Sequence, residues 1–318
     1  MAGQKARKKF QGYRDGLSKR VRAADVKLSR IDKELDDRYE KALWLGKEFG
    51  FFPGSIDASN DDISLISLGF ATIYDLDYTE RDIQKFLIRK SGIEEEGYLL
   101  GGFVSSLIEN LHMKKTKITL MDKIHCLGTV NSQKLWITGD VGNGLGNSMQ
   151  YGMIVVDGNA GRYLGDKMKG GAIIVKGNAG GGAGHEMKAG IIIIEGNAGD
   201  ALGEGNKDGH ILVRGNAGDY LAGAANGRGC ITVLGNAEDK VGQDGDVANI
   251  HIFGNVGDNL GLGMRGGVIT VEGNAGKLVG DKMHDGAIEI GGDFESIGDV
   301  KQGQIYHKGK LVFTKGVP

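Results

Sequence analysis

Between about Leu135 and Ile297 the apolar positions of the chain recur at a fixed interval. Short triplets return as Ile154-Val155-Val156, Ile173-Ile174-Val175, Ile192-Ile193-Ile194, Ile211-Leu212-Val213, Ile231-Thr232-Val233, Ile250-His251-Ile252, Ile269-Thr270-Val271 and Ile288-Glu289-Ile290. The first and third residues are always β-branched aliphatics, so they point inward from a short strand. A second inward column reads Leu145, Leu164, Ala183, Leu202, Leu221, Val241, Leu260 and Val279. A third reads Met149, Met168, Met187, Met264 and Met283, with Asn206 and Asn226 substituting in mid-stack. These methionines are expected to fill core rather than bind metal.

Glycine sets the period. Gly-Asn dipeptides begin at Gly158, Gly177, Gly196, Gly215, Gly235, Gly254 and Gly273, at intervals of 19, 19, 19, 20, 19 and 19 residues. Gly-Asp at Gly139 and Gly292 extends the register by 19 at each end. Such self-similarity marks a solenoid, and 19 residues suit one coil of a β-helix. The Asn column can stack as a ladder, each side chain bonding to the next turn. Because the glycine pattern returns in every coil, it is read as architecture and not as a phosphate cradle.

The N-terminal part follows another pattern. Only 11 of the 57 glycines precede residue 128. Apolar residues at Val21, Ala24, Leu28, Ile31, Leu35, Ala42, Leu45 and Phe49 have helical spacing, with Arg38 interrupting the seam and Gly50 and Pro53 as stops. Leu28, Ile31 and Leu35 lie either on the protein's own surface or against a partner or second copy. A second helix is expected from a Thr79 cap through Ile83, Phe86, Leu87 and Ile88 to Gly92. A third covers Glu94–Met113 with Leu99, Phe103, Leu107 and Leu111 on one stripe, weakened at Gly101 and Gly102 by about 1 kcal/mol each. The segment Ile63–Tyr74 is open between strand and buried helix. The expected organisation is a basic tail over 1–20, a helical region over 21–115, and a mainly β, single-stranded β-solenoid of 19-residue coils over 116–318. A hairpin at Lys308-Gly309 would cap its last coil.

The outward, middle positions of the strands are not uniform. Trp136, Val155, Ile174, Ile193 and Leu212 are apolar, whereas Thr232, His251, Thr270 and Glu289 are polar. Five stacked apolar residues call for a cover. The helical region is the expected cover and a partner subunit the alternative. The adjoining column, Asp157, Lys176, Glu195 and Arg214, alternates in sign and is expected to form an ion-pair ladder that selects register.

Composition narrows the chemistry. The net charge of −2 gives no general case for nucleic acid or membrane partners. No apolar run reaches the ~20 residues of a membrane span, and residues 1–20 lack a signal-peptide core, so a cytoplasmic location is expected. Cys126 and Cys230 form no ligand spacing and are read as reduced thiols. None of the seven histidines falls in a metal-ligand pair, and His185-Glu186 is read as a polar loop. No catalytic, cofactor-binding or metal residue is assigned, and the partners expected are proteins, a second copy among them.

The unit GNAGRYLGDKMKGGAIIVKGNAG (Gly158–Gly180) resembles the GxGxG repeat family. That family includes the C-terminal domain of the glutamate synthase large subunit and the C subunits of formylmethanofuran dehydrogenase and of the bacterial formyltransferase/hydrolase complex. The resemblance, over residues 135–300, implies a right-handed parallel β-helix acting as a non-catalytic scaffold beside catalytic subunits of an oxidoreductase complex. The regular GNAG coils resemble the formylmethanofuran dehydrogenase C subunit most. A split glutamate-synthase-type component and a stand-alone interaction protein with a helical docking or dimerisation arm are the alternatives.

Overall fold

The structure, a computed structural model, describes residues 30–48, 73, 76–91, 97–111, 115–129 and 131–315. The basic tail, Val21, Ala24, Leu28, Phe49, Gly50 and Pro53, and most of Ile63–Tyr74 lie outside them; Ile73 is buried.

The period-19 pattern folds as a parallel β-solenoid. Eleven strands stack in chain order, and a twelfth closes the sheet antiparallel to the last. They are β1 (Lys115–Thr119), β2 (Lys134–Thr138), β3 (Met153–Asp157), β4 (Ala172–Val175), β5 (Ile191–Ile194), β6 (His210–Val213), β7 (Asn226–Val233), β8 (Asp246–Ile252), β9 (Gly266–Val271), β10 (Ala287–Ile290), β11 (Gly303–His307) and β12 (Lys310–Lys315). The stack starts one coil earlier than the glycine repeat, because β1 pairs with β2 in the same 19-residue register. Each coil has one strand wall and one wall of turns. The first and third triplet residues, the Leu/Ala/Val column and the methionines fill the space between, all buried.

The methionine column differs from the sequence expectation at one position. Ala225, not Asn226, continues the methionine column; Ala225 is buried, and Asn226 is exposed at the start of β7. The extra residue of the 20-residue coil is taken up by a bulge in β7 between Gly227 and Cys230. Asn206 does enter the core. Its carboxamide accepts the Gly209 N–H and donates to the Gly209 carbonyl, both at 3.0 Å, so its polar atoms are satisfied.

The expected ladder is present. The Oδ1 atoms of Asp140, Asn159, Asn178, Asn197, Asn216, Asn236, Asn255 and Asn274 each accept the backbone N–H of the same column one coil later, at 2.8–2.9 Å. This explains the glycine before each asparagine. A Cβ on Gly196 would lie 2.4 Å from Asn178 Oδ1, so the residue before the ladder must lack one. A second ladder was not foreseen. Asp200, Asp219, Asp239 and Asp258 accept the amides of Asp219, Asp239, Asp258 and Lys277 at 2.8–3.2 Å.

Among the described residues three helices close the first coil: α1 (Arg30–Glu48), α2 (Glu80–Arg89) and α3 (Gly97–Asn110). The seam of α1 runs through Ile31, Leu35, Tyr39 and Ala42. Tyr39 sits where the sequence seam broke at Arg38, and its ring meets Phe86 and Phe103 at centroid distances of 5.5 and 5.3 Å. Arg89 of α2 bonds Asp32 and Asp36 of α1 at 2.7 and 3.2 Å, fixing the pair. At the start of α2 the Asp82 carboxylate accepts the Thr79 N–H and hydroxyl, at 3.0 and 2.7 Å. Helix α3 is buried on all sides from Leu100 to Ile108, between the other helices and the coil end.

The cap also satisfies the open edge of β1. Glu80 accepts the Lys117 N–H at 2.8 Å, and Gln84 both accepts the Thr119 N–H at 2.7 Å and donates to its carbonyl at 2.9 Å. Two helix side chains thus replace the missing neighbouring strand. At the far end Lys308 and Gly309, with φ of 53° and 72°, make the hairpin turn between β11 and β12. Strand β12 is the sheet edge, carrying Lys310 and Lys315 beside exposed Leu311 and Val312.

Candidate functional site

The side chains left over after the core, ladders and caps are those on the outside of the strand wall. Alternation along β3 puts Met153, Val155 and Asp157 outward, and the parallel register repeats these positions as three columns. The middle column is Trp136, Val155, Ile174, Ile193 and Leu212. Val155 is 5% exposed and the others are half-buried. The first column adds Met153, Ala172 and Ile191, which sequence reasoning missed; Ile191 is 45% exposed. Their signal was present in the alternation, since a residue two before an outward one faces the same way.

The expectation that the helices cover this face is not met by the described helices. They pack on the first coil, and α2 meets the sheet at β1. The reason is the open edge of β1, whose backbone groups need partners more than half-buried aliphatics need a cover. Leu35, a candidate contact residue, is fully buried within this cap, and Ile31 is packed against the same core. Leu28 lies outside the described residues.

The charged column is exposed at Asp157, Lys176, Glu195 and Arg214. Within the column one ion pair forms among the described residues, Lys176–Asp157 at 3.6 Å. Lys176 and Lys115 also lie over the Trp136 ring, at 5.9 and 4.8 Å from its centroid. The full in-chain ladder expected from sequence is therefore reduced to its first rung. Farther along the wall Leu234 and Phe253 are exposed, Phe253 stacked on His251 at 4.3 Å.

On the wall of turns, Asp166 is buried and bonds His185 Nδ1 at 2.8 Å. Asn147 donates to its other oxygen at 3.4 Å, and Ser148 donates to Asn147 at 2.7 Å. The hydroxyl is thus directed at the amide, not at the imidazole, and the chain of bonds ties coil to coil. The hydrogen bond to Asp166 raises the His185 pKa above its ordinary 6.5, against the burial that lowers it. A raised imidazole stabilises the fold fully below pH 6.5, and this contribution is lost as pH rises through the folded value. The stability difference between the native chain and His185→Gln should therefore be larger at pH ~5.5 than at pH ~8.5 in urea titrations. A difference independent of pH would contradict the pairing.

Among the described residues no group of three or more His, Cys, Asp or Glu side chains is placed to hold a metal ion. None of the described helices is long and apolar enough to cross a membrane. No family model matches the chain, and no curated protein matches it.

Proposed function

We propose that the chain is a non-catalytic structural subunit of a multi-subunit enzyme, nearest in kind to the formylmethanofuran dehydrogenase C subunit. The observation that carries this reading is the outer strand wall. The repeated columns of the interior and corners are spent on packing and ladders, whereas this wall presents stacked aliphatics and a charged rim with no structural task inside the coil. A half-buried apolar face of this kind marks a protein contact. The GxGxG resemblance of Gly158–Gly180 supplies the enzyme context.

The alternative of a helical docking arm is weakened where it can be judged, because Leu35, Tyr39 and Ala42 of α1 are buried in the cap. Purification of the tagged chain from its native source tests the proposal. Co-purifying molybdopterin or iron–sulfur subunits support it. A flavin–glutaminase partner would favour the glutamate-synthase reading instead. Recovery of the chain without other polypeptides would refute both.

A further inference from the structure

We infer that the outer wall over β3–β6 is the contact between two copies of this chain, packed face to face about a twofold axis parallel to the strands. The inference rests on the reading of this wall as a contact surface, and it names the occupant.

The order of charge along the rim points to a second copy. Along the stack the exposed rim reads Asp157, Lys176, Glu195, Arg214, that is, minus, plus, minus, plus. A twofold axis along the strand direction reverses the order of coils and keeps the strand direction. If it passes between β4 and β5, the rim of one copy lies along the same rim of the other, read backwards. Asp157 then faces Arg214 of the second copy and Lys176 faces its Glu195, and symmetry repeats both contacts. All four rim pairs are of opposite sign. The same operation sets Ile174 against Ile193, and Leu212 over Val155, which its own chain already largely buries, so that aliphatic meets aliphatic as in an isologous contact. An axis along the stack would instead place Asp157, Lys176 and Glu195 over Met153, Ala172 and Ile191 and leave these charges on apolar surface, with Arg214 over the exposed His210.

The alternation is poorly explained within one chain. Neighbouring rim residues offer three in-chain pairs, and among the described residues only Lys176–Asp157 comes within 4.0 Å. Glu195 and Arg214 form no ion pair there. Four coils at ~4.8 Å and five residues at ~3.3 Å give a face of roughly 19 by 16 Å. That is roughly 300 Å² a side, below the ~800 Å² of a standard stable interface, so a weak dimer with dissociation on the order of tens of micromolar is expected.

Sedimentation velocity on the full chain between about 1 and 100 µM, a range bracketing that affinity, tests the inference. A monomer–dimer equilibrium is expected. Arg214→Glu sets like charges against Asp157 twice per dimer and should weaken association about tenfold or more. The double variant Asp157→Arg/Arg214→Glu is decisive. It puts a second cation beside Lys176 and a second anion beside Glu195, destroying the in-chain alternation. Every pair across the axis nevertheless remains opposite in sign. Association should return to within about threefold of the native chain. Circular dichroism melts of each variant report the fold separately. A chain that stays monomeric, a dimer indifferent to Arg214→Glu, or a double variant weaker than Arg214→Glu alone would each overturn the inference. None of these outcomes bears on which subunits co-purify from the native source, so the two proposals fail separately.

Discussion

Gly101→Ala should destabilise the protein by at least about 3 kcal/mol, although the same exchange in an isolated helix would stabilise it by about 1 kcal/mol. A Cβ at this position would lie 1.7 Å from the His125 carbonyl oxygen and 2.9 Å from its carbon. Both atoms are backbone of the first coil, so no rotamer change relieves the collision. Helix α3 would have to lift from the coil end. That would separate the Gly128 N–H from the Ser105 hydroxyl that accepts it at 2.9 Å, and the Gln133 amide from the Ile108 carbonyl it meets at 2.8 Å. The cap packs as one unit, so β1 should lose Glu80 and Gln84 as well. Urea unfolding gives the sign, and hydrogen exchange gives the place: the amides of Lys117 and Thr119 should lose protection. A stabilised variant would show that the glycine only weakens its helix.

Gly196→Ala should cost about 3 kcal/mol or more for a different reason. Its new Cβ would fall 2.4 Å from Asn178 Oδ1 and 2.7 Å from the Gly177 carbonyl oxygen. Asn178 could swing away, at the loss of the 2.8 Å bond it accepts from the Asn197 N–H, about 1 kcal/mol. The Gly177 carbonyl cannot swing away, because it accepts the Gly196 N–H at 3.0 Å and belongs to the coil stack. Asn178→Ala alone should therefore cost about 1 kcal/mol, and adding it to Gly196→Ala should not rescue the chain. Equilibrium urea unfolding of the three variants checks the order. Equal costs for Gly196→Ala and Asn178→Ala would mean that the glycine serves only the ladder.

Where residues act through the period, the fold was legible in the sequence. The inward triplets, the asparagine ladder and the Lys308-Gly309 turn each follow from a local spacing or residue type. Features set by tertiary contact were not. Strand β1 lacks the Gly-Asn signature because Leu120 and Met121 stand in its place, and its edge is completed by side chains from α2. The acidic ladder was hidden because Asn143, Arg162, Gly181 and Lys277 share its column with Asp200, Asp219, Asp239 and Asp258. Gly101 read as a weak point in a helix, although what it permits is a close approach by a segment some 24 residues away in sequence. Of the candidate contact face, the middle and charged columns were visible in the residues. What rests on them was not, since the described helices are drawn to the open strand edge.

The reading that this protein works through its outer strand wall leads to one decisive test. It is the native mass of the assembly purified through a chain carrying Ile193→Glu. The same column holds His251 and Glu289 in later coils, so a carboxylate there is compatible with the fold. An unchanged melting profile and a smaller assembly are expected, with the second copy lost together with any polypeptide that the paired walls hold. A variant recovered in the same assembly as the native chain would contradict this reading.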